Sequence, residues 1–148
     1  MAPPIQKLEH WTLVTNDMAQ TKHFYLNVLG ADGRSGNGPE GAVLGGVLID
    51  FFEASERSQP QPGTVGQHHA YVVNVEDFDP WVEHLRSSEV EFRLAHHGLG
   101  RMSIYVDDPS GYHIELTAPF ETSEQGRAEM IKRGIISDSY TEKHRGDA

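Results

Sequence analysis

The chain has 148 residues, enough for one domain with a substantial core, and no cysteine, so neither a disulfide framework nor a thiolate metal site is available to it. Its formal charge of −10 argues against nucleic acid, whose phosphates require clustered Lys and Arg. No apolar run reaches the length of about 18 residues that spans a bilayer, and the opening MAPPIQK carries no hydrophobic signal segment, so a cytoplasmic protein without a membrane partner is expected.

Pro3 and Pro4 keep residues 1–6 out of regular structure. LEHWTLVT (8–15) alternates as a strand, with His10, Thr12 and Val14 on one face. Asn16 or Asp17 caps the helix that follows; Thr21, Phe24, Tyr25 and Val28 form its apolar stripe, and Gly30 ends it. Residues 31–40 are turn-rich, and GAVLGGVLIDFFEA reads as two short strands with a bend near Gly45 and Gly46. Asp50 alternates with Leu48 and Phe52, so it is either an edge-strand charge or a carboxylate aimed into a cavity. SERSQPQPGTVGQ (55–67) has the polar, Pro- and Gly-containing character of a connection.

The pattern then restarts. HHAYVVN, from His68, is a strand; DFDPWVEHLRSSEV is a helix with Phe78, Trp81 and Leu85 at helical spacing; EFRLA (91–95) is a strand. RMSIYVD and YHIELTA are two more strands around the turn DDPSG, where Pro109 fixes φ and Gly111 takes a conformation that other residues resist. His113, Glu115 and Thr117 share one face of the last strand, and a mid-strand carboxylate such as Glu115 must either face water or find a strong partner. The order strand, helix, three strands thus occurs twice. It predicts an α+β fold of two βαβββ modules, roughly 7–54 and 67–119, within a domain of residues 1–122. Residues 123–148 form a polar C-terminal extension in which GRAEMIKRG makes one short helix; its last dozen residues are expected to be mobile, or Ile135 and Ile136 to anchor it on a partner subunit. His10 and His68 occupy matching places in the two modules. With Glu115 they make a two-histidine, one-carboxylate set, which suits Fe(II) or Mn(II) and leaves coordination positions open.

LEHWTLVTND, FYLNVLGA, QHHAYVVNVED and YVDDPSGYHIEL, spread over residues 7–119, resemble the vicinal oxygen chelate superfamily of glyoxalases, bleomycin-resistance proteins, fosfomycin-resistance enzymes and extradiol dioxygenases. The resemblance implies that the two modules form a curved mixed sheet around a metal cavity, with metal ligands at His10, His68 and Glu115 and with His69 on the opposite face. Within the superfamily, His96, Tyr105, Asp108-Pro109, Gly111 and Glu115 resemble the extradiol dioxygenases, which have a His nine residues before the Tyr and the Tyr ten before the Glu. That implies a catechol-like aromatic substrate and O2 on Fe(II), with His96 as acid/base and Tyr105 as hydrogen-bond donor. Mn(II), Ni(II) and Zn(II) are the alternative metals, and a homodimer is the expected assembly. Leu94 departs from the extradiol pattern, no further catalytic histidine is placed, and the Tyr-to-Glu spacing also occurs in fosfomycin-resistance enzymes. The alternatives are a glyoxalase- or epimerase-type enzyme with Asp50 as fourth ligand, a fosfomycin-type enzyme adding thiol or water with Arg101 as the nominated cation, and a metal-free sequestering protein of the bleomycin-resistance kind.

Overall fold

The computed structural model describes residues 1–64 and 66–135 and divides into two compact units. The first comprises Met1–Gly63 with the Asp108–Tyr112 turn. It contains β1 (His10–Thr15), α1 (Met18–Lys22) continuing as a π-helical segment (His23–Val28), β2 (Asp32–Gly33), β3 (Glu40–Leu44) and β4 (Val47–Glu53). The sheet order is β1-β4-β3-β2, with β1 parallel to β4 and the other pairs antiparallel. Asp17 is the helix cap, its Oδ1 accepting from Gln20 N at 2.9 Å. Gly45 and Gly46 have φ of +56° and +78°, so the expected bend is a two-residue hairpin loop whose positive φ values suit the twist of the flanking strands.

Leu13, Ile49 and Phe51 are buried in this unit along with Phe24, Tyr25 and Val28 of the helical segment. Tyr25 has a polar end in that core. Its hydroxyl donates to Asp108 Oδ2 at 2.9 Å, while Asp108 Oδ1 accepts from the backbone N–H groups of Ser110 and Tyr112 at 2.8 and 2.9 Å. Burial pushes the Asp108 carboxyl pKa up, and these hydrogen bonds pull against it.

The second unit begins at Thr64 and excludes that turn. It contains β5 (His68–Val72), a 3-10 turn (Val75–Asp77), α2 (Phe78–Ser87), β6 (Phe92–His97), β7 (Arg101–Asp107), β8 (His113–Pro119) and α3 (Ser123–Lys132). Its sheet order, β5-β8-β7-β6, repeats that of the first unit, again with one parallel pair, β5 and β8. Each unit is therefore a βαβββ module, as the repeated pattern predicts. Met102, Ile104, Val106, Ile114, Leu116 and Ala118, on one face of this sheet, are almost fully buried, as are Phe78 and Leu85 of α2.

α3 lies in the stretch expected to be a polar extension, yet it is built into this unit. Met130 is fully buried, Arg133 reaches Asp79 at 2.6 Å, and Gly126 lies so close to Leu99 that a Cβ there would stand 2.6 Å from its carbonyl oxygen. Ile136 and the last dozen residues lie outside the described residues, and with them the anchoring and mobility readings. Among the described residues no helix is long and apolar enough to cross a membrane.

Candidate metal centre

The parallel pairing of β5 and β8 sets Ala70 opposite Glu115 and His68 opposite His113. Residues two apart share a face, so His68 and Glu115 are diagonal neighbours on one side of the sheet. Their side chains meet, with His68 Nε2 2.7 Å from Glu115 Oε2. Glu115 is only 3% exposed, and its other oxygen, Oε1, accepts from the Ser103 hydroxyl at 2.6 Å. Ser103 was not singled out in the sequence. Both carboxylate oxygens therefore have partners, which is what keeps a carboxylate tolerable in mid-strand.

Tyr105 stands directly across from Glu115 on β7. Its ring packs edge-on against His68, with centroids 5.6 Å apart, and its hydroxyl lies 3.2 Å from His97 Nε2. Burial, then the charge and hydrogen bonding of Glu115, push its pKa above the ordinary 10.0, while Arg101 and Arg93 pull the other way. The phenol thus stays protonated at neutral pH and available as a donor. Arg93, opposite Tyr105 on β6, lays its guanidinium over the ring with its carbon 4.9 Å from the centroid. His113 completes the face, with Nδ1 2.6 Å from Asp107 Oδ1. His69 points to the other face, where burial and the neighbouring His68 push its pKa down.

His96 corrects an expectation. It pairs with Met102, is 4% exposed, and lies on the face opposite Glu115 and Tyr105; the histidine that reaches Tyr105 is His97. The reason is the length of the turn. Three residues separate His97 from Arg101, so cross-strand partners in β6 and β7 share odd or even numbering. A nine-residue spacing between His96 and Tyr105 then places them on opposite faces.

His10 belongs to the first unit, on the face of β1 shared by Thr12 and Asp50, and its half-exposed ring meets the carboxylate of Glu9. Asp50 occupies the register place in its sheet that Glu115 holds in the other: Thr12 opposes Asp50 as Ala70 opposes Glu115. Its carboxylate is engaged by the Arg34 guanidinium in a partly buried ion pair. Among the described residues, no three His, Cys, Asp or Glu side chains form a group able to hold a metal, so the paired donors are those of His68 and Glu115. Both are of the donor types that divalent cations take. An imidazole nitrogen and a carboxylate oxygen converge, and a hydroxyl orients the carboxylate from behind.

Two mixed βαβββ modules, one carrying this imidazole–carboxylate pair, define an α+β protein of the paired-module class. The chain belongs to the Glyoxalase/Bleomycin resistance protein/Dioxygenase superfamily, whose match covers residues 7–116. It is similar to the glutathione transferase FosA of Serratia marcescens, with 28% identity over 115 residues, 76% of this chain and 80% of that protein. Among solved structures it is similar to the fosfomycin resistance protein FosX of Listeria monocytogenes, with a TM-score of 0.67 and 22% identity over 82% of this chain and 98% of that one. It is also similar to the lactoylglutathione lyase of Agrobacterium tumefaciens, with a TM-score of 0.60 and 21% identity over 78% of this chain and 96% of that one. None of these three relatives is named as an extradiol dioxygenase, the family to which the His96, Tyr105 and Glu115 spacing pointed.

Proposed function

We propose that this protein is a divalent-metal-dependent enzyme that opens the epoxide of a small phosphonate of the fosfomycin type by adding a thiol or water. The observation that carries the reading is the sheet face itself. The His68–Glu115 pair shares it with two arginines, Arg93 and Arg101, where a phosphonate needs cations and a neutral catechol does not. The likeness to a glutathione transferase FosA supports it, as does a FosX structure holding Mn(II) and 1S,2S-dihydroxypropylphosphonic acid. O2 and an aromatic substrate have no such support, and Mn(II) replaces Fe(II) as the first metal to try.

In this reading His68 and Glu115 would hold the metal. The ion, when bound, supplies Lewis acidity toward the epoxide oxygen. Ser103 keeps Glu115 oriented by its hydrogen bond to Oε1. Tyr105, held protonated, offers its hydroxyl proton toward a substrate oxygen, and His97 beside that hydroxyl fixes its direction. The ion pair of Asp50 with Arg34 argues against a second carboxylate ligand, and so against the four-ligand glyoxalase arrangement. A homodimer remains the expected assembly.

The test is to load the protein with Mn(II), add fosfomycin with water, cysteine or glutathione, and follow the phosphorus NMR signal. A new phosphonate signal that is lost in His68→Ala supports the reading. Unchanged fosfomycin, from protein carrying about one metal per chain, rejects it.

A further inference from the structure

We propose that Arg93 is the docking group for an oxyanion, phosphonate or carboxylate, in the cavity beside Tyr105. The cavity has a volume of about 400 Å³, and Arg93, Tyr105, Asp107 and His113 are in its lining. That is the size of a small-ligand site. Arg93 opposes Tyr105, and Tyr105 opposes Glu115, so the cavity lies on the same sheet face as the His68–Glu115 pair.

The charge arrangement is what points to an anion. Arg34, Arg86 and Arg133 each hold a carboxylate. Among the described residues Arg57, Arg93, Arg101 and Arg127 form no ion pair, and of these four Arg93 is the one in the lining of this cavity. Asp107, which shares the cavity, is engaged by His113 Nδ1 at 2.6 Å. Glu91, also in the lining, is exposed. The Arg93 guanidinium carbon stands 4.9 Å from the Tyr105 ring centroid, within cation–π range, at the wall of the cavity. A guanidinium held beside an aromatic ring at a cavity wall, and in no ion pair among the described residues, is suited to binding a phosphonate or carboxylate through two parallel hydrogen bonds.

The inference deepens the phosphonate reading, because it names the residue that would hold the anion. Its anion could belong to either reactant: the phosphonate of the epoxide or the carboxylate of a thiol co-substrate. Binding is therefore tested without turnover. The arginine Nε–Hε NMR signals of the metal-free protein are followed as methylphosphonate or acetate is added, in wild type, Arg93→Gln, Arg93→Lys and Tyr105→Phe. Arg93→Gln should weaken binding of at least one of the two anions by about tenfold or more. Arg93→Lys should lose less, and Tyr105→Phe, which keeps the ring, should bind within about threefold of wild type. If Arg93→Gln, shown to be folded by circular dichroism, binds both anions within about twofold of wild type, the proposal is overturned.

The two sources separate in turnover. A raised KM for fosfomycin alone in Arg93→Gln assigns the phosphonate. A raised KM for cysteine but not for cysteamine assigns the co-substrate carboxylate. If fosfomycin is not turned over at all, the reading of the reaction fails, while the anion titration still judges Arg93.

Discussion

Ser103→Ala probes the proposed metal centre without touching either of its two proposed donors. The substitution removes the hydroxyl that donates to Glu115 Oε1 at 2.6 Å and lies 3.2 Å from Thr117 Oγ1. Ser103 and Glu115 are both buried, so water does not easily replace the lost donor. A hydrogen bond to a charged group contributes about 1.5–3 kcal/mol. If that energy orients Glu115 for a cation, its loss weakens the metal by about 10–100-fold, the range found when partners behind metal ligands are removed. The assay is competition for Mn(II) against a chelating dye at fixed pH. Urea unfolding of the metal-free protein runs in parallel, because the orphaned carboxylate also costs stability. Ser103→Thr, which keeps a hydroxyl, should recover most of the affinity. A folded Ser103→Ala protein that binds Mn(II) within about twofold of wild type would refute the orienting role of Ser103.

Asp50→Ala should leave Mn(II) content unchanged while lowering stability by about 1–3 kcal/mol, because it strands the partly buried Arg34 guanidinium; loss of metal on dialysis would instead make Asp50 a ligand. Asp108 has its pKa raised by burial, so the folded state takes up its proton more readily than the unfolded chain. The stability this contributes is complete below the ordinary value of 3.8 and is lost as pH rises through the higher folded value. Asp108→Asn removes that titration, so the stability of wild type relative to Asp108→Asn should fall as pH rises through that window, and parallel stability curves would contradict the assignment. Gly126→Ala places a Cβ 2.6 Å from the Leu99 carbonyl oxygen and 2.8 Å from Phe120 Cδ2. Overpacking of this kind costs about 1–3 kcal/mol, to be read from the urea midpoint; an unchanged midpoint would mean that α3 is not tightly seated.

Much of the architecture was legible because it is local. Alternation at period two marked the strands, helical spacing marked α1 and α2, and the recurrence of strand, helix, three strands implied paired modules. The same alternation placed His68 and Glu115 on faces that the parallel register then brought together. It also turned His69 away from them.

The remaining features depend on which residues lie opposite one another, and that is a property of register and turn length. The three-residue turn after His97 decided that His97, not His96, faces Tyr105. Cross-strand pairing set Ser103 behind Glu115 and Arg93 over Tyr105, neither of which has a spacing signature in one strand. Long-range contacts alone joined Tyr25 to Asp108, distant in sequence, and Arg34 to Asp50. Periodicity fixes the face a residue occupies within its own strand. Which charges and donors meet across strands is decided only when the sheet closes, because burial then forces each polar group to take the partner that the register sets beside it.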